Sequence, residues 1–204
     1  MYPKQFEILV QNLRKLPGVG WRSAEKLAFS LLEWRDSDLL ALGKMIQELP
    51  KHLQFCSLCG CLCQGKCTFC DPDLRADHQL LVLATPKEVF SLESSGVYKG
   101  LYHVLGGMIS PIDLKYGESL NLESLTKRIA DLSNLKEIII ALDSTVDGDM
   151  TALYVKEAVE RAAHSKDGAA PGVSRIAFGL PIGSSVENAD YATLARAVSS
   201  RQFF

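Results

Sequence analysis

Phe55–Cys70 reads FCSLCGCLCQGKCTFC and holds all six cysteines of the chain. Within it, Cys56-x-x-Cys59 and Cys67-x-x-Cys70 have the spacing of two metal knuckles. Each pair sets two thiolates on one side of a tight turn, and two such turns close a four-sulfur cage. Gly60 follows the first pair and tolerates the positive φ that a knuckle needs. A closed S4 site is the usual structural mode of zinc, so the spacing predicts Zn2+ on Cys56, Cys59, Cys67 and Cys70. Three rivals fit less well. A disulfide framework needs an oxidising compartment. A redox Cys-x-x-Cys comes as one pair at a helix start. Iron–sulfur clusters use other spacings. Cys61 and Cys63 are surplus and are expected to be free thiols, with ligand exchange at Cys59 open. His52 and His78 flank the cluster and read as surface histidines.

Upstream of the cysteines the pattern is helical. Phe6, Leu9, Val10, Leu13 and Leu16 recur at i, i+3, i+4 spacing, and Pro17-Gly18 stops that run. Ala24, Leu27, Ala28, Leu31 and Leu32 form a second apolar face. Asp36-Ser37-Asp38 is placed to cap a third helix carrying Leu39, Leu42, Met45, Ile46 and Leu49, with Pro50 ending it. Leu16-Pro17-Gly18-Val19-Gly20 joins the first two helices. A Gly-x-Gly turn before a helix lets backbone approach a phosphate, and the helix dipole favours the anion. Arg14, Lys15, Arg22 and Lys26 surround the turn, with Glu25 the one nearby acid. This is a helix-hairpin-helix pattern of non-specific DNA binding, with Gly18, Gly20 and those four basic residues as candidate contacts. A plain helical hairpin turn is the bland alternative. For Trp21, a partly buried hairpin role is expected over stacking on a base.

Downstream the texture changes. Leu80–Leu83, Tyr102–Leu105, Ile138–Leu142 and Arg175–Phe178 read as buried strands. Helical stretches lie between and after them, near 86–94, 121–132, 149–163 and 189–200. That alternation predicts a parallel α/β sheet with both faces covered. SKDGAAPG, residues 165–172, reads as a loop. ALDSTVDGD, residues 141–149, follows a strand and opens a helix, where parallel sheets bind ligands. Asp143, Asp147 and Asp149 are hard-oxygen candidates for Mg2+ or for a partner, against the simpler reading of solvated acids at a helix start. The end of the first strand, Leu83-Ala84-Thr85, adds no acid, and Glu88 falls in the next helix. Only half a magnesium site is therefore present, and Mg2+ stays open.

Bulk properties narrow the classes. The 204 residues suffice for one large or two small domains. A net charge of -2 excludes a polycation, so DNA binding must use a local basic patch. No apolar run reaches a membrane span, and MYPKQFEILV lacks a signal pattern, so a cytoplasmic protein is expected. No GxxxxGK[ST] loop is present, which argues against nucleotide hydrolysis.

Together the motifs resemble the bacterial recombination mediator RecR family along nearly the whole chain. LPGVGWRSAEKLAF resembles its hairpin, and the four cysteines match its zinc finger. GLYHVLGGMISPID, TVDGDMTALY and GLPIGSSVENADYATLARA resemble its Toprim domain and C-terminal region. The resemblance implies 1–54 as helix-hairpin-helix, 55–73 as C4 zinc finger, 78–180 as Toprim domain and 181–204 as an oligomerisation tail. It implies a homo-oligomer, a dimer or tetramer ring, binding single- and double-stranded DNA in the cytoplasm with the nucleoid. It further implies action with RecO, and RecF where present, to load RecA in repair independent of RecBC. That role is mediation without catalysis. A Toprim-type metal-dependent DNA-processing enzyme is the alternative, and a pure protein adaptor is a third reading. Four departures stand out: Trp21 where the family commonly has proline, two extra cysteines in a short zinc loop, Ala84 where Toprim enzymes carry glutamate, and Asp147-x-Asp149 for Glu-x-Glu.

Overall fold

The structure is a computed structural model that describes residues 2–71, 73–110, 120–164 and 170–201. The chain divides into two compact units, residues 1–52 and 53–204.

The first unit holds α1 (Lys4–Leu13), α2 (Trp21–Leu32) and α3 (Asp36–His52). Phe6 and Val10 on α1 meet Ala24 and Ala28 on α2, each pair four residues apart and so on one helix face. The small alanines let the two helices approach closely. Leu9, Leu13 and Val19 pack around this core, and the Phe6 ring lies 4.6 Å from that of Phe29. α1 ends at Leu13, earlier than Pro17. Lys15 and Leu16 donate to Asn12 and Leu13 carbonyls, tightening the chain out of the α-helix and leaving Leu16 exposed. α3 departs from expectation in two ways. It runs two residues past Pro50, whose ring is accommodated in the last turn. Its apolar face is built as read, yet buries no residue, and Met45 and Ile46 are more than half exposed.

The second unit opens with a two-stranded antiparallel ribbon, β1 (Gln54–Phe55) and β2 (Leu62–Cys63). A four-stranded, all-parallel sheet follows, made of β3 (Ala76–Leu83), β4 (Gly100–Val104), β5 (Glu137–Ala141) and β6 (Gly172–Arg175). The spatial order is β4-β3-β5-β6. The strands alternate between two buried faces. Leu80, Val82, Leu101, Ile138 and Ile140 join one core with α5 (Leu122–Asp131) and α6 (Val146–His164). Leu81, Leu83, Tyr102, Val104 and Ala141 join the other with the cysteines and Val89 of α4 (Pro86–Ser95). The chain steps one way through α4 and the other way through α5 and α6. Right-handed crossovers then put α4 on one face and α5 and α6 on the other. The direction reverses between β3 and β5, where such sheets place their sites. α7 (Tyr191–Ser199) follows a short 3-10 turn, with Asp190 capping it through the Thr193 N–H.

The fourth strand lies three residues earlier than expected. As an edge strand, Gly172–Arg175 is only partly buried, so its sequence lacks the apolar run that marks the inner strands. The first five residues of the 165–172 loop lie outside the described residues.

Candidate metal centre and nucleic-acid interface

The four predicted ligand cysteines converge. The Sγ atoms of Cys56, Cys59, Cys67 and Cys70 all lie within 4.8 Å of one another, with Cys56 and Cys70 3.7 Å apart and Cys59 and Cys67 3.5 Å apart. They are the one such group among the described residues. The first knuckle is set by its backbone, in which Gly60 N–H donates to Cys56 O and Cys56 N–H to Cys61 O. Burial pushes the Cys56 thiol up, but N–H groups of Cys59 and Leu58 outweigh it and hold the thiol below its ordinary value. Such N–H groups favour a thiolate, the form that binds metal. Cys61 and Cys63 are buried outside the cage. Cys61 Sγ sits 3.9 Å from Cys59 O, and Cys63 Sγ sits 3.5 Å from Gln54 O.

The knuckles also cover an edge of the sheet. Outward-facing backbone groups of β4 would otherwise be unpaired. Instead Tyr102 N–H donates to Phe69 O at 3.1 Å, and Val104 N–H donates to Cys59 O at 2.7 Å. On the same edge the buried Arg128 guanidinium donates to Tyr102 O, and the Asn121 amide to Val104 O. Gly60 has φ +72°, and a Cβ there would lie 2.6 Å from Val104 O, so glycine is required twice over. Arg75 ties this corner together: it binds Glu93 at 2.6 Å and lies over the Phe69 and Tyr102 rings.

The acids do not gather. Asp143 is exposed beyond β5, while Asp147 and Asp149 sit in the first turn of α6. Asp149 is held by Arg175 at 2.7 Å and Arg196 at 2.8 Å, and both guanidiniums stack on Phe178. Arg196, then Arg175, hold the Asp149 carboxyl below the usual range. A recess of about 360 Å³ at the β3–β5 switch point is lined by Leu83, Glu88, Asp143 and Phe178, among others. Glu88 itself is turned back, accepting from Thr85 N–H at 2.9 Å at the start of α4.

In the first unit the turn after α1 is open. Gly18 takes φ +77°, a conformation that favours glycine, while Gly20 is extended and caps α2 without a side-chain hydrogen bond. Nothing lies within 4 Å of a Cβ built on either. Arg14, Lys15, Arg22 and Lys26 are all exposed. Among the described residues none of them is in an ion pair. Glu25 is turned to the Tyr2 hydroxyl, and Lys15 bonds Asn12 at 2.8 Å. Arg14 lies over the Trp21 ring, 5.4 Å from its centroid, and Trp21 is 43% exposed, so the ring is partly covered and partly open.

Three family models match the chain: "RecR, helix-hairpin-helix" over residues 6–49, Toprim domain over 78–167, and "RecR, C-terminal" over 179–202. The Recombination protein RecR of Protochlamydia amoebophila is 44% identical over 204 residues, covering 100% of this chain and 99% of its own. That of Chlamydia felis is 45% identical over 203 residues, covering 98% and 97%. The chain belongs to the RecR family.

The residues matched to the Toprim domain include β3, and Ala84 just after it is buried. Two features of this RecR-family chain were not legible in its sequence. One is the Arg175–Asp149–Arg196 clamp, which joins residues 47 apart. The other is the covering of β4 by Arg128, Asn121 and two knuckle carbonyls. Neither has a local pattern. His103, by contrast, is what its place in an apolar strand implies: fully buried, bonded to Asn121 O at 2.9 Å, and held neutral by burial, with its pKa lowered to about 4.

Proposed function

We propose that this chain is a non-catalytic, DNA-binding recombination mediator. It acts in recombinational DNA repair independent of RecBC, with RecO, and RecF where present, to help load RecA onto single-stranded DNA. The observation that carries this reading is the open Gly18–Gly20 turn ringed by four exposed cations, within the segment matched as a RecR hairpin. Neither glycine is needed to avoid a clash inside the protein, which suits close approach of a phosphate from outside. The chain as a whole is acidic, so grip on DNA comes from several hairpins of a homo-oligomer, a dimer or tetramer ring, converging on one strand.

The cysteine cage takes structural Zn2+. Four thiolates leave no open coordination position, so the ion supports the fold and holds the knuckle carbonyls against β4. A buried Ala84 and an Asp149 engaged by two arginines support a role without bond-making, and the two arginines compete with Mg2+ for the Asp149 carboxylate. No helix among the described residues is long and apolar enough to cross a membrane. The proposed setting is the cytoplasm, on the nucleoid.

The test is DNA binding by zinc-loaded protein, titrated in salt, with and without RecO and Mg2+, reading cleavage on the same gel. Salt-sensitive binding strengthened by RecO, with intact DNA, is expected. Arg22→Ala with Lys26→Ala should flatten the slope of log K against log salt by roughly 1–2. Unchanged binding by the folded double variant would remove the hairpin from the DNA contact. Cleavage lost in Asp147→Ala would move the protein to the enzyme class.

A further inference from the structure

We infer that Trp21 is a nucleobase-stacking residue that gives the hairpin a preference for single-stranded DNA over duplex. This rests on the DNA-binding reading of the hairpin above. Non-specific phosphate contacts alone favour the duplex, whose two strands give it the denser backbone charge and the larger counterion release. An exposed aromatic ring favours the single strand, since only unpaired bases offer a free π-face, and stacking tolerates any sequence.

The unit holds two exposed tryptophans, and their surroundings differ. Trp34 is 45% exposed, between Glu33 and Arg35 and close to Asp36 and Asp38, and Arg35 is paired with Asp38, which leaves net negative charge there. That is no place for a polyanion. Trp21 is 43% exposed and directly follows Gly20, with Arg14, Lys15, Arg22 and Lys26 around it. It is not in the α1–α2 core of Phe6, Val10, Ala24 and Ala28, so packing does not explain it. Arg14 over the ring at 5.4 Å steadies one face of the indole and adds a positive charge beside it. A strand whose phosphates meet Arg22 and Lys26 brings its bases within reach of the remaining exposed ring area.

The experiment uses the full chain with Trp34→Phe, so that Trp21 is the sole tryptophan of the two. Its emission is followed while oligo(dT) or a duplex of equal length is added across a salt series. Saturable quenching by oligo(dT) is expected, with little by duplex. Trp21→Ala should lower single-strand affinity by about 10-fold or more while duplex affinity and the salt slope hold. Trp21→Phe should keep most of the affinity, which separates a lost ring from a disturbed turn. Equal loss on both DNAs, an indole that does not respond, or a changed oligomeric state in Trp21→Ala would overturn the assignment. If Arg22→Ala with Lys26→Ala flattens the salt slope while Trp21 stays silent, stacking alone fails. If that double variant also leaves binding unchanged, the hairpin reading fails first.

Discussion

The two units handle polar groups in opposite ways. In the second, four arginines are engaged within the unit: Arg75 binds Glu93, Arg128 binds a β4 carbonyl, and Arg175 and Arg196 share Asp149. In the first, the four hairpin cations are exposed and the neighbouring acid is turned to Tyr2. The glycines repeat the contrast. Gly60 exists because Val104 O is 2.6 Å from where a side chain would begin, whereas Gly18 and Gly20 face open space. At these residues the second unit closes its interactions within itself, and the hairpin leaves charge and backbone open to a partner. An internal contact makes a residue type necessary for stability. An open glycine turn ringed by exposed cations outside any ion pair points to binding.

The largest test of that contrast is the metal. Cys59→Ser, or chelation, should destabilise the second unit by on the order of 5 kcal/mol or more, because metal binding and folding are linked there. Thermal melting with zinc analysis reads it, and a melt indifferent to chelator would detach the cage from the fold. Next comes the glycine pair. Gly60→Ala should cost roughly 3–4 kcal/mol, from positive φ plus a clash with backbone. Gly20→Ala should change stability by less than about 1 kcal/mol while weakening DNA binding. Matching melts for the two would erase the distinction drawn between them.

His103 sharpens the comparison at the level of pH. Burial lowers its folded pKa to about 4, while the free imidazole titrates near 6.5. As pH falls, the unfolded chain takes up the proton first. The contribution of neutral His103 is therefore complete above about pH 6.5 and is lost toward pH 4, about 3 kcal/mol in all. Asp149, Glu93 and Glu137 also have lowered values and act in the same direction. The comparison that isolates the ring is urea unfolding of His103→Leu, which should show a flatter pH dependence than the parent. The smallest effect belongs to the clamp. Asp149 is 41% exposed, so Asp149→Ala should cost under about 1 kcal/mol after solvent screening. A loss of several kcal/mol would make the clamp a core element of the second unit.

The sequence by itself determined what rests on short spacing. Two Cys-x-x-Cys pairs specified the cage, a Gly-x-Gly between amphipathic runs specified the hairpin, and apolar strands between helical patterns specified a parallel sheet covered on both faces. Each of these is dictated by groups a few residues apart, where backbone geometry leaves few choices. Only the tertiary structure decided the rest. It set which carbonyls cover β4, which cations hold Asp149, that Trp21 lies on the surface, and that α3 keeps its apolar face exposed. It also placed β6 three residues before its apolar run, because an edge strand needs only partial burial. These outcomes depend on unpaired backbone groups and charges finding partners far along the chain, and no local period records such a meeting.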